Sequence, residues 1–169
     1  MTSKLLIAAA IFAAAVTTGS AGPLLHGHCR QGECSHLSIE ESDIVATSPG
    51  GNALFQVRSK MWTSRNSKKR VLDGESTNYV YCSKQRPAAL YKSEGGYRVD
   101  FLAPNQDMSY SGANTESYLL YYATCHNIAL QGSLDRAALG KRLGYRLAED
   151  SWFDQPTIKR PEDIIGYRD

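Results

Sequence analysis

Apolar and polar residues alternate with a period of two through the middle of this chain, and that period predicts strands. Across residues 53–62, Ala53, Phe55, Val57 and Met61 share one face, with Gln56, Arg58 and Lys60 on the other. Leu54 and Trp62 fall out of step, which predicts cover on both sides. Residues 38–47 alternate less strictly around Ile39, Ile44 and Val45, and Ser48-Pro49-Gly50-Gly51-Asn52 follows as a turn. Residues 63–70 read as a polar, basic loop. Residues 71–75 end in Asp73-Gly74, another turn signal, and residues 77–83 have strand composition. Residues 88–91 and 97–102 form a hairpin joined by Lys92-Ser93-Glu94-Gly95-Gly96. Tyr97, Val99 and Phe101 lie on one side of it, Arg98 and Asp100 on the other. Residues 104–115 read as a long polar loop.

The period then changes. Residues 116–126 hold many tyrosines and suit helix or strand, with Asn114 or Thr115 able to cap a helix. Residues 134–143 predict a helix. Ser133 is its N-cap, Asp135 sits in its first turn, Lys141 and Arg142 sit in its last, and Gly144 follows. The tail, residues 149–169, is polar, and Pro161-Glu162-Asp163 can open one helical turn. Residues 22–37, rich in Gly, His and Cys, show no apolar period and read as an irregular arm. The expected fold is α+β. A small antiparallel sheet spans residues 38–102, with one or two C-terminal helices, in a single domain over residues 38–148.

The N-terminus adds an address. Lys4 precedes twelve consecutive apolar residues, Leu5 to Val16, and then Thr17-Thr18-Gly19-Ser20-Ala21. That is the layout of a secretory signal peptide, residues 1–21, cleaved after Ala21. The run is too short for a membrane helix, which needs about 20 residues. The expected product is secreted or periplasmic, with no membrane anchor and no lipoprotein cysteine.

Export changes the reading of the four cysteines, because oxidising compartments favour disulfides. Four cysteines allow three pairings. The four residues between Cys29 and Cys34, with Gly32 among them, favour a local bridge, which leaves Cys82 for Cys125. In the chain-entropy model the longer loop gives roughly 4 kcal/mol and the shorter roughly 2.

Charge narrows the partners. Nineteen basic against seventeen acidic side chains give a net charge of +2. That total favours neither nucleic acid nor a membrane surface. Lys60, Arg65, Lys68, Lys69 and Arg70 form a run of positive charge that could bind an anion or a glycan. His26, His28 and His36 lie within eleven residues and could ligate Zn²⁺ or Cu²⁺. Their spacing matches no standard metal motif. Cys125-His126 lacks the second cysteine of a haem attachment, and as a catalytic pair it would need a reduced thiol. The sequence carries no phosphate loop, nucleophile elbow, His-Glu-x-x-His or cofactor signature. The expected function is an exported, non-catalytic binding module for a protein or glycan partner. A metal binder built on the histidine arm comes second, and an enzyme of unassigned class third.

Overall fold

The computed structural model describes residues 22–66, 69–106, 114–130, 135–148 and 155–167. The signal-like segment, Lys68, and Ser133 with Leu134 lie outside them. Seven strands form one antiparallel sheet in chain order: β1 Leu25–Arg30, β2 Glu33–Thr47, β3 Ala53–Arg65, β4 Val71–Cys82, β5 Ala88–Ser93, β6 Gly96–Phe101 and β7 Thr157–Ile158. Two helices follow β6: α1 Thr115–His126 and α2 Arg136–Arg142. A 3₁₀ turn, Pro161–Ile164, closes the chain. The α+β architecture agrees with the sequence pattern. Among the described residues no helix is long and apolar enough to cross a membrane.

Strand alternation divides the core between the two faces of the sheet. Leu25, Leu37, Phe55, Val57 and Val80 meet α1 and the segments around Leu102, Leu130, Leu139 and Tyr145. Leu54, Tyr81, Ala88, Leu90, Val99 and Phe101 pack on the opposite face against Ile158 and Ile164. Leu54 falls out of step in the sequence because it belongs to this second core. The polar tail therefore contributes a strand and a buried Ile164, and covers the face that α1 leaves open.

Helix α1 was ambiguous in sequence for a physical reason. Ser117, Tyr118, Leu119, Leu120, Tyr121 and Tyr122 are six consecutive buried residues. A helix covered on nearly every side has no polar stripe and so no helical period. Helix α2 starts later than its pattern suggested: Asp135 is the N-cap, and its side chain accepts the Ala138 N–H at 2.8 Å.

Four local expectations change. The arm is not irregular. Residues 25–30 and 33–37 pair as a β-hairpin around a two-residue turn, Gln31 and Gly32, both at positive φ. The arm shows no apolar period because it offers only Leu25 and Leu37 to the core, while His26 and His36 hold its other face. The basic loop is shorter, since Thr63, Ser64 and Arg65 are still strand. Asp73-Gly74 is not a turn. Met61 pairs with Gly74 and Trp62 with Leu72, so Asp73 is the extra residue of a β-bulge in one continuous strand. The β5–β6 connection is two residues, since Ser93 pairs with Gly96.

Two disulfides brace the fold, Cys29–Cys34 and Cys82–Cys125, the pairing favoured by spacing. The first ties the hairpin across its turn. The second closes a 43-residue separation and joins the end of β4 to the last turn of α1. Cys82→Ala should lower stability by about 2–5 kcal/mol, because it frees a long loop in the unfolded chain. Cys34→Ala should cost less. Urea melts of the two variants against wild type check the order.

Candidate functional site

A cleft of ≈ 470 Å³ opens at the end of the sheet where the β1–β2 hairpin meets β3 and the start of α1. His28 and Arg30 come from β1, Gln31 from the turn, Glu33 and Ser35 from β2, Thr63 and Arg65 from β3, and Glu116 from α1. Ser35 Oγ donates to Glu116 Oε1 at 2.6 Å and so joins the sheet to the helix. Gly27 makes this approach possible. A Cβ there would lie 2.3 Å from Ser35 Oγ and 3.3 Å from Glu116 Oε1. The hairpin tip is pinned on its other side, where the Asn66 N–H donates to the Gly32 carbonyl at 2.6 Å. Arg65 reaches back to Glu33 at 3.0 Å.

A second cleft of ≈ 360 Å³ adjoins the first through Thr63 and Arg65, and adds Asn66, Lys69, Val71 and Asp73. Together the two carry Arg30, Arg65 and Lys69 against Glu33, Asp73 and Glu116. Such a surface suits a partner bearing both signs, and gives no bias toward polyanions. Thr63 Oγ1 donates to Asp73 within the same region. Ser35 is a poor nucleophile here, because its hydroxyl faces a carboxylate and not an imidazole base.

The residues expected from sequence are distributed differently. The basic run does not form one patch. Lys60 pairs with Glu40 at 3.1 Å and Glu75 at 3.5 Å, on the face opposite Arg65. The bond from Ser38 and then the one from Lys60 hold the Glu40 carboxyl below its usual range, and Glu40 in turn holds Lys60 charged. Arg65 and Lys69 line the clefts, and Lys68 lies outside the described residues. The three arm histidines do not converge either. His26 and His36 are cross-strand partners whose Nδ1 atoms lie 3.2 Å apart. His28 falls within the bulge between His26 and Cys29 and lines the cleft instead. Among the described residues no group of three or more His, Cys, Asp or Glu could hold a metal ion.

Among the described residues no tyrosine lines the two clefts. Tyr118, Tyr121, Tyr122 and Tyr145 are buried, and their hydroxyls are bonded inside. One of these networks is directional. Tyr121 OH donates to the Ser83 carbonyl at 3.0 Å, so its oxygen is left to accept from Tyr145 OH at 2.7 Å. Tyr145 in turn accepts from His126 Nε2–H at 2.6 Å. Lys84 caps the group, with Nζ 4.1 Å from the Tyr145 ring centre and bonded to the Leu143 carbonyl at 2.7 Å. Burial pushes the Tyr145 phenol up to about 12. Burial, and then the charge of Lys84, hold His126 below its ordinary value.

Glu33, Ser35, Thr63 and Glu116 were not singled out in the sequence. The available signal was register. Cys29 and Cys34 bonded across a two-residue turn imply a hairpin, and a hairpin places Glu33 and Ser35 on the face opposite Cys34 and His36. No family model, curated protein or solved structure matches the chain.

Two outcomes test the network. Tyr145→Phe removes its middle member and should cost about 1–2 kcal/mol in a urea melt. For His126 the folded-state value is lowered from 6.5, so the unfolded chain binds more protons below neutrality. Its stabilisation should be full above pH 6.5 and fall as acid titrates the folded ring. His126→Gln keeps an N–H donor without a titration in this range. Melting temperatures read from pH 8 to pH 5 should fall less for this variant than for wild type.

Proposed function

We propose that this chain is an exported, non-catalytic binding module whose working surface is the mixed-charge cleft between the β1–β2 hairpin and the start of α1. The observation that carries the reading is the cleft itself. It encloses ≈ 470 Å³, its side chains come from four elements, and its floor is fixed by the Ser35–Glu116 bond. The Cys29–Cys34 bridge and the Asn66–Gly32 bond pre-organise its rim, which reduces the ordering cost of binding. Alternating Arg and Glu side chains favour a protein surface with both charges over a glycan, since no Trp or Tyr lines the cleft for stacking on a sugar. Export is supported by the residue 1–21 pattern and by two disulfides.

The test has two parts. Mass spectrometry of the protein from its native host should find the N-terminus between Ser20 and Pro23. A full-length N-terminus on that protein would remove the export reading. The tagged mature protein should then capture a partner from the periplasmic or culture fraction of that host. Arg30→Glu combined with Arg65→Glu should weaken capture at least about tenfold, the equivalent of 1.4 kcal/mol. The melting temperature should stay nearly unchanged, because exposed ion pairs contribute little to folding. Capture by the double variant equal to wild type would exclude the cleft as the working surface.

A further inference from the structure

We propose that His26 and His36 form a binding site for a late first-row divalent cation, Zn²⁺ or Cu²⁺, held between their Nδ1 atoms. The two residues are direct cross-strand partners in the β1–β2 hairpin, so the Cys29–Cys34 bridge helps to fix their spacing. Their Nδ1 atoms face each other at 3.2 Å. Two nitrogens on one tetrahedral zinc, each with a bond of about 2.0–2.1 Å, lie about 3.3 Å apart. The pair therefore stands at the bite of a metal chelate with almost no movement.

The surroundings fit that role. A metal on Nδ1 of His36 requires the ring proton on Nε2, and Ser64 Oγ lies 2.8 Å from Nε2 to accept it. A hydroxyl or carbonyl on the far ring nitrogen is the usual orienting partner of a metal-bound histidine. His36 is buried while His26 is exposed, so one ligand is held rigid and the other stands at the entrance. Burial, then His26, then Arg70 hold His36 below its ordinary value, a direction that favours the neutral ring a metal needs. The metal-free pair shares one N–H···N bond. Binding requires both Nδ1 atoms bare, with each ring proton on Nε2.

Among the described residues no third His, Cys, Asp or Glu completes the set. The remaining positions fall to water, which makes the site open and exchangeable. Imidazole donors without a carboxylate select zinc and copper over calcium and magnesium. Arg70 adds positive charge that further disfavours ions held by electrostatics alone. The site lies on the sheet face opposite the cleft, because adjacent residues Ser35 and His36 point to opposite sides. It therefore stands independently of the binding-module reading.

The experiment uses the mature, oxidised protein stripped of metal, with ZnCl₂ or CuSO₄ alone as the probe. Titration calorimetry should find one Zn²⁺ per chain. At a hundredfold excess over Kd the melting temperature should rise by roughly 5–10 °C for a domain of this size. His26→Ala, an exposed position, should abolish both effects while the metal-free melting temperature holds. His28→Ala should keep both. Ser64→Ala should weaken zinc affinity about tenfold through loss of the orienting bond. With Cu²⁺, electron paramagnetic resonance should show two coupled nitrogens, falling to one in His26→Ala. The proposal is overturned if the wild type shows no saturable site, if His26→Ala retains it, or if His28→Ala loses it.

Discussion

Everything in this fold is placed by the burial of α1. Six consecutive residues of the helix are buried, and four of them carry hydroxyls. An unpaired buried hydroxyl costs about 1–3 kcal/mol, so each must find a partner. Ser117 donates to Asp100 at 2.8 Å and accepts from Tyr91 at 2.9 Å. Asp100 is completed by Arg98 Nε at 3.1 Å. Tyr118 accepts the Ala103 N–H at 2.9 Å, and Tyr121 reaches Ser83. Each bond ends on a different strand or loop, so only one position of the helix along the sheet satisfies them all. Apolar packing would allow the helix to slide, and the hydroxyls do not.

That constraint explains where the tyrosines went. Ten tyrosines against four phenylalanines suggest a wet aromatic surface, yet among the described residues five of them, Tyr81, Tyr118, Tyr121, Tyr122 and Tyr145, are in the core. A tyrosine buried with its hydroxyl bonded supplies apolar area and a specific anchor together. The Cys82–Cys125 bridge acts on the same helix from its other end. Ser117 and Tyr118 fix the first turns of α1, and the bridge fixes the last. Glu116, at the mouth of the cleft, inherits its position from that register.

Legibility in the sequence followed the same physics. The strands of residues 53–62 and 97–102 were readable because one side of each differs in polarity from the other. Helix α2 was readable from the charges of its last turn, although its start falls at Asp135 and not at the expected cap. Helix α1 was not, since full burial removes the polar stripe. The pairing of residues 25–30 with 33–37 was not, since only Leu25 and Leu37 of that stretch face the core and polar residues fill the rest. The site was partly visible. His26, His36 and Arg65 were named from sequence, and the structure gives each a place. Glu116 could not be named, because its link to Ser35 spans 81 residues and depends on the helix register.

The hairpin is where the two candidate surfaces come from, and its geometry makes both necessary consequences of one register. Cys29 opposite Cys34 fixes the pairing, and a shift of one residue would exchange every side chain between faces. In the register formed, Leu37 and Ser35 face α1, and His36 faces Ser64 on the other side. The apolar demand of Leu25 and Leu37 for the core therefore sets the direction of Ser35 toward the cleft and of His36 away from it. Slippage toward the alternative would bury a histidine against Val57 and Val80 and expose two leucines, at a cost of several kcal/mol. The disulfide, the core and both surfaces thus depend on the same alternation. A polar hairpin with two leucines is specific enough to hold them.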